Sequence, residues 1–171
     1  MHWGIDMIGF RVLIIGVLVS GCGAGPGSAV NDAGQRSACD AGNVSACKDV
    51  GMRAYRAKKF RVAASYLKTA CDGADYAACC TLGALHWAGR GMPKNLKKAE
   101  SLQRLGCQGE TAGCCTNLGA LYMREPSLGV SGPPLQAIFE KGCAAGHMVS
   151  CLNLGALHEY GQGVEQRPER A

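Results

Sequence analysis

The sequence predicts an all-α fold, an alpha-alpha solenoid of antiparallel helix pairs wound as a right-handed superhelix, with about three and a half repeats in the chain. Three observations lead there. Cysteines at 71, 107 and 143 recur with a 36-residue period, each followed eight residues later by a second cysteine at Cys79, Cys115 and Cys151; Cys39 and Cys47 form a fourth pair at that spacing. Three residues beyond each second cysteine stands an apolar residue and then a glycine: Val50-Gly51, Leu82-Gly83, Leu118-Gly119 and Leu154-Gly155. Within a unit the apolar residues keep helical spacing, since Ala78, Leu82 and Leu85 fall at i, i+4 and i+7. A period of this length marks a stacked array in which each unit buries its apolar face only against its neighbours.

In chain order, Arg11 precedes an apolar run from Val12 to Val19 that ends at Ser20-Gly21-Cys22. The run is too short to span a bilayer, so residues 1–21 are expected to be a signal peptide. Val19-Ser20-Gly21-Cys22 resembles a bacterial lipobox, and the resemblance implies that Cys22 is the acylated first residue of the mature protein. Residues 22–35, rich in glycine and small side chains, are expected to be a flexible tether. The repeat domain then occupies 36–171, with units at about 45–76, 77–112, 113–148 and 149–171, the last incomplete because Ala171 aligns with Ala99.

Each unit reads as two helices. In the second unit the first helix is expected from Ala77 to Ala88, where Gly89-Arg90-Gly91-Met92-Pro93 breaks it. The second helix resumes near Asn95, carries Ala99, Leu102 and Leu105 on one side, and closes at Cys107, with the following glycine suited to a left-handed C-terminal cap. The first unit's turn is four residues shorter, and the third replaces the Gly-x-Gly turn by the stretch Glu125 to Pro134. Both changes should leave the helix pairs intact.

The cysteine spacing bears on chemistry and compartment. Structural zinc usually takes cysteines two to four residues apart. Seven intervening residues instead suit a bridge from the end of one unit's second helix to the start of the next unit's first helix. Disulfides Cys39–Cys47, Cys71–Cys79, Cys107–Cys115 and Cys143–Cys151 are expected, zinc being the alternative, each bridge contributing about 2 to 3 kcal/mol by the chain-entropy estimate. The residue before each first cysteine is small (Ala38, Ala70, Gly106, Gly142), as a close helix crossing requires. Cys80 and Cys114 fall outside the register and are expected to be buried free thiols, with a fifth bridge between neighbouring units left open. Disulfides need an oxidising compartment, which agrees with an exported chain.

The stretch Leu118-Gly119-Ala120-Leu121-Tyr122 and the turn Gly161-Gln162-Gly163-Val164, with Gly89-Arg90-Gly91-Met92 close to it, resemble the Sel-one-like repeat, a relative of the tetratricopeptide repeat. The cysteine pairs further resemble its cysteine-rich branch from Helicobacter. The resemblance covers roughly Arg36 to Ala171. It implies a concave surface, built by the first helices, that receives peptides or partner proteins. One polar stripe suits that role, for Asp49, Thr81, Asn117 and Asn153 occupy equivalent positions just before the apolar-glycine pair.

The cysteine-rich branch also implies penicillin binding or weak β-lactamase activity as the rival function. Two Ser-x-x-Lys matches exist, Ser45 with Lys48 and Ser65 with Lys68, but the Ser-Asp-Asn and Lys-Thr-Gly partners of a serine β-lactamase are absent from the sequence. No catalytic residue, metal site or cofactor is therefore assigned. His86 and His158 share the position of Tyr122 in their own units, where packing is the expected role. The net charge of +5 is spread over Arg53, Arg56, Lys58, Lys59 and Arg61 at the first turn and Lys94, Lys97 and Lys98 at the second, without the interleaved aromatics of a nucleic-acid groove. The expected partner is an envelope protein or peptide, and the membrane through the lipid. The expected location is the bacterial envelope at the outer membrane, by the sorting rule that a lipobox resemblance carries with Gly23 after the cysteine.

Overall fold

The computed structural model describes residues 32–109 and 111–160, and the expected signal peptide, Cys22, the Gly161–Val164 turn and Ala171 lie outside them. The described residues form eight α-helices: α1 (Asp32–Asp40), α2 (Val44–Arg56), α3 (Phe60–Asp72), α4 (Tyr76–Ala88), α5 (Leu96–Gln108), α6 (Ala112–Arg124), α7 (Pro133–Ala144) and α8 (Met148–Tyr160). Each packs on the next in the chain, and α4 also packs on α6 and α6 on α8. This is the predicted solenoid, with α2, α4, α6 and α8 as first helices and α3, α5 and α7 as second helices. Helix α1 begins at Asp32, so the last four residues of the expected tether are helical; Asp32 forms an ion pair with Arg53 of α2 at 3.0 Å, which ties this extra helix to the array.

Local chemistry sets the helix ends. Asn43, Asp75 and Asn95 are extended N-cap residues whose side-chain oxygens accept from the backbone N–H of Ala46, Ala78 and Lys98, so each satisfies a donor that the first turn leaves unpaired. Gly89 closes α4 at φ +63°, the left-handed conformation that glycine adopts without strain. Gly109 does not play that part at the end of α5, for its φ is −75°. In the matching turns the left-handed residue sits one place later, at Gly42, Ala74 and Gly146, because the helix continues through the cysteine and the residue after it. The shortened first turn is three residues long, between Arg56 and Phe60. The atypical third turn folds as a one-turn 3-10 helix, Pro126–Leu128, followed by Gly129 and Gly132 at positive φ; α7 then starts at Pro133, where a missing N–H costs nothing.

The recurrent apolar-glycine pairs are where first and second helices of one unit cross. A Cβ at Gly51 would stand 2.8 Å from Leu67 Cγ, one at Gly83 would stand 3.2 Å from the Ala99 carbonyl oxygen, and one at Gly119 would run into the Phe139 ring. The second crossing, between units, is made close by the small residue before each first cysteine: Cβ atoms at Gly106 and Gly142 would collide with Cys114 and Ser150, and Ala70 is fully buried. Two apolar clusters result, one spanning α1 to α4 and the other α4 to α8. They meet within α4, where Cys79 belongs to the first and the adjacent Cys80 to the second.

All four register pairs are bridged, Cys39–Cys47, Cys71–Cys79, Cys107–Cys115 and Cys143–Cys151, with Cα atoms 4.5 to 4.7 Å apart. Each bridge joins a second helix, or α1, to the following first helix. Cys80 and Cys114 are not free thiols; they form a fifth bridge with Cα atoms 5.3 Å apart. The reason is the stacking of α4 on α6, which brings together two first helices that are remote in sequence.

Candidate functional site

The stripe read from the sequence is placed on four successive first helices, Asp49 on α2, Thr81 on α4, Asn117 on α6 and Asn153 on α8. Asp49 is exposed, and the other three are partly so. Two of them reach the neighbouring first helix: the Thr81 hydroxyl lies 3.6 Å from Met52 Sδ of α2, and the Asn117 amide nitrogen lies 3.5 Å from Cys80 Sγ of α4. Thr81 also donates to the Ala77 carbonyl of its own helix at 3.1 Å, the usual back-bond of a helical threonine. The Cys80–Cys114 bridge links the same two helices that carry Thr81 and Asn117. Asp49, Thr81 and Asn117 therefore lie on helices held in fixed succession.

Neither Ser-x-x-Lys match assembles an acyl-transfer centre. Lys48 is paired with Asp75 at 2.9 Å, and this hydrogen bond, followed by the charge attraction, raises the ammonium pKa and keeps the lysine protonated, the opposite of what a proton acceptor needs. Lys68 is paired with Asp72 at 2.5 Å on an exposed face of α3, and Ser65 beside it is also exposed.

The structure does place Ser65 and Lys68 on the wall of a cleft that sequence reasoning missed. Helices α3 and α5 flank α4 and leave a cavity of about 440 Å³, lined by Ala64, Lys68 and Asp72 of α3, by Leu82 and His86 of α4, by Met92 in the turn, and by Lys98 and Leu102 of α5 among others. The His86 ring lines the cleft, while its Nδ1 is buried against protein without a hydrogen-bond partner. Burial, and then the nearby Lys98 charge, push the His86 pKa below its ordinary value, so the ring is neutral at pH 7. The signal that could have found the cleft was His86 set against Ala64 and Lys68, where the next repeat sets Tyr122 against Glu100 and Arg104.

The other two described histidines lie away from this cleft. His158 is 4% exposed on α8, its Nδ1 buried without a partner like that of His86, and His147 Nδ1 lies 2.8 Å from the Thr116 hydroxyl, itself 2.5 Å from the Ser150 hydroxyl. Among the described residues no cluster of His, Cys, Asp and Glu could hold a metal ion, and no helix is long and apolar enough to cross a membrane. A second feature invisible in the sequence is Gln103, fully buried on α5, whose amide donates to the Cys80 carbonyl at 3.0 Å.

Two solved structures share this architecture. A Sel1 repeat protein from Oxalobacter formigenes superposes with a TM-score of 0.74 at 19% identity over 81% of this chain and 57% of its own. The chain has the Sel1 repeat fold. A protective antigen present in uropathogenic Escherichia coli strains and displaying an SLR fold gives the same TM-score at 23% identity, over 81% of this chain and 31% of its own. Among curated proteins, "Putative beta-lactamase HcpC" of Helicobacter pylori (strain J99) is 39% identical over 49 residues, which is 29% of this chain and 17% of that protein. This chain thus spans under two thirds of the length of each of these Sel1-repeat and Helicobacter relatives. No family profile matches it.

Proposed function

We propose that this Sel1-repeat chain is a lipid-anchored bacterial envelope protein, held at the outer membrane by acylated Cys22, that binds a protein partner along its concave face. The observation that carries the reading is the placement of Asp49, Thr81, Asn117 and Asn153 at one register position on four successive first helices. Polar side chains so arranged suit the backbone of an extended segment, in the way repeat arrays present long binding surfaces. The Cys22 lipobox resemblance and the disulfides support the anchored, oxidising location.

A photo-crosslinking residue at Asn117 or Asn153, in cells producing the full chain, is expected to give a discrete protein adduct that the same probe at Ser65 does not. Equal labelling at all three positions would remove the concave-face reading. The Cys22→Ser form is expected to leave the membrane fraction. Its retention there would remove the anchor.

The 49-residue match to HcpC favours a second reading, β-lactam binding or hydrolysis. The paired, protonated Lys48 weighs against it. The expected result with a chromogenic cephalosporin is no turnover; turnover abolished by Ser65→Ala would replace the scaffold reading with the enzymatic one.

A further inference from the structure

We propose that the cleft between α3 and α5 is a binding site for a small amphipathic carboxylate, one acidic group on an apolar body. Its size falls in the range of small-molecule sites, at about 440 Å³. Its inner surface is apolar and already fixed: Leu82, Ala64 and Cys71 are buried core residues, and Cys71 is locked by its bridge to Cys79. The cleft is therefore a preformed cavity with few side chains to order on binding.

The polar groups converge from both walls. Lys68 stands on α3 and Lys98 on α5. Lys68 already has Asp72, while the Lys98 ammonium has no ion pair among the described residues. Lys98 is thus the available counter-charge for an anion, and a carboxylate placed beside it leaves the apolar body over Leu82, Leu102 and Met92. The His86 ring lines the same cavity, with its Nδ1 turned into the protein and left without a hydrogen-bond partner.

The next repeat shows what closes such a slot. Tyr122 replaces the histidine, is 2% exposed, and spends its hydroxyl on Glu100 and Arg104 of α5. The α3 counterparts of those two residues are Ala64 and Lys68, so nothing on that helix fills the space above His86.

The test uses oxidised full-length protein with isotope-labelled histidine, titrated with 4-phenylbutyrate and, in parallel, with the uncharged 4-phenylbutanol. The expected result is a saturable shift of the His86 ring signals, with a dissociation constant on the order of 1 mM or tighter, while His147 and His158 stay in place. Lys98→Met is expected to weaken the acid by about two- to five-fold, the size of a partly exposed charge contact, and to leave the alcohol unaffected. His86→Tyr is expected to abolish binding while the protein keeps its thermal transition. Because Lys98 is exposed, the Lys98→Met form folds even if the histidine variant does not. No His86 shift, equal binding of acid and alcohol, or parallel shifts of His86, His147 and His158 would each overturn the proposal.

Discussion

Tyr122 on α6 and His86 on α4 hold the same position in successive repeats, and their surroundings diverge because of two residues on the preceding second helix. Around Tyr122 the hydroxyl donates to Glu100 and accepts from Arg104, both at 2.7 Å, and Arg104 and Glu100 are themselves paired at 2.9 Å. Around His86 the corresponding residues are Ala64, which offers nothing polar, and Lys68, which turns to Asp72. The third case, His158, faces a helix on which the counterparts Gln136 and Glu140 bond to each other. The helix crossings are thus kept from unit to unit by glycine, while the outer slots are individual. In an array whose units share one scaffold, chemistry is to be sought where the repeat departs from itself.

Truncating the closed slot should cost most. Tyr122→Ala removes a buried ring and leaves Glu100 and Arg104 with one partner fewer, for an expected loss of about 3 to 5 kcal/mol in urea unfolding of the oxidised protein. His86→Ala, in the open slot, should cost no more than about 1 kcal/mol. Equal losses would break the comparison. Next in size is the bridge that links the units carrying the two slots. Cys80–Cys114 closes 34 residues, whereas each register bridge closes eight, so the chain-entropy relation gives about 3 to 4 kcal/mol for the long bridge and about 2 to 3 for a short one. Unfolding midpoints of Cys80→Ala/Cys114→Ala and Cys39→Ala/Cys47→Ala double variants test that order, and a reversed order would show that the long bridge restrains little of the unfolded chain.

The parts that repeat were legible in the sequence, and the parts that do not were hidden. Helix pairs, the four register disulfides and the close crossings at Ala70, Gly106 and Gly142 follow from spacing, because each unit satisfies the same packing problem with the same residues. Cys80–Cys114 was hidden because its counterparts, Thr116 and Ala78, carry no thiol, so no periodic signal marked it. Gln103 was hidden for the reverse reason: register alignment places it opposite Leu67 and Phe139, yet its polarity reads as a solvent face. Helix α1 was lost to composition, since its stability comes from packing on α2 rather than from its own helix propensity. The polar stripe was legible as a register, but the cleft was not, because a cavity depends on the side chains that three helices fail to supply.

The crossings themselves offer a finer contrast between the same two repeats. Gly119→Ala drives a methyl into the rigid Phe139 ring and should cost about 1 to 3 kcal/mol. Gly83→Ala meets the Gln103 side chain and the Ala99 carbonyl oxygen at 3.2 Å, where a few tenths of an ångström suffice. There the better helix propensity of alanine, up to about 1 kcal/mol, offsets the contact, so thermal unfolding should be nearly unchanged. A large loss at Gly83 would mean that Gln103 and its bond to Cys80 cannot shift.

The smallest effect separates the two slots by pH. The His86 pKa is held below its ordinary 6.5 chiefly by burial and then by Lys98, while Lys68 and Asp72 face it from α3 and largely cancel. The unfolded chain therefore takes up a proton that the folded one resists, so this contribution to stability is complete above pH 6.5 and is lost as pH falls from there through the lowered folded value. Glu100 lies below its ordinary 4.5 because Tyr122 and then Arg104 hydrogen-bond to its carboxylate; its contribution is present above pH 4.5 and is lost only below it. Burial and the same hydrogen bond push Tyr122 up to about 12, so the closed slot also loses stability as pH rises above 10. The His86 and Glu100 steps should each stay below about 1 kcal/mol, because both residues are partly exposed and screened. In stability measured against pH, His86→Tyr should erase the step that starts at 6.5 and spare the step at 4.5, and Tyr122→Phe should do the reverse. Should the upper step survive in His86→Tyr, the open slot is no more acid-sensitive than the closed one.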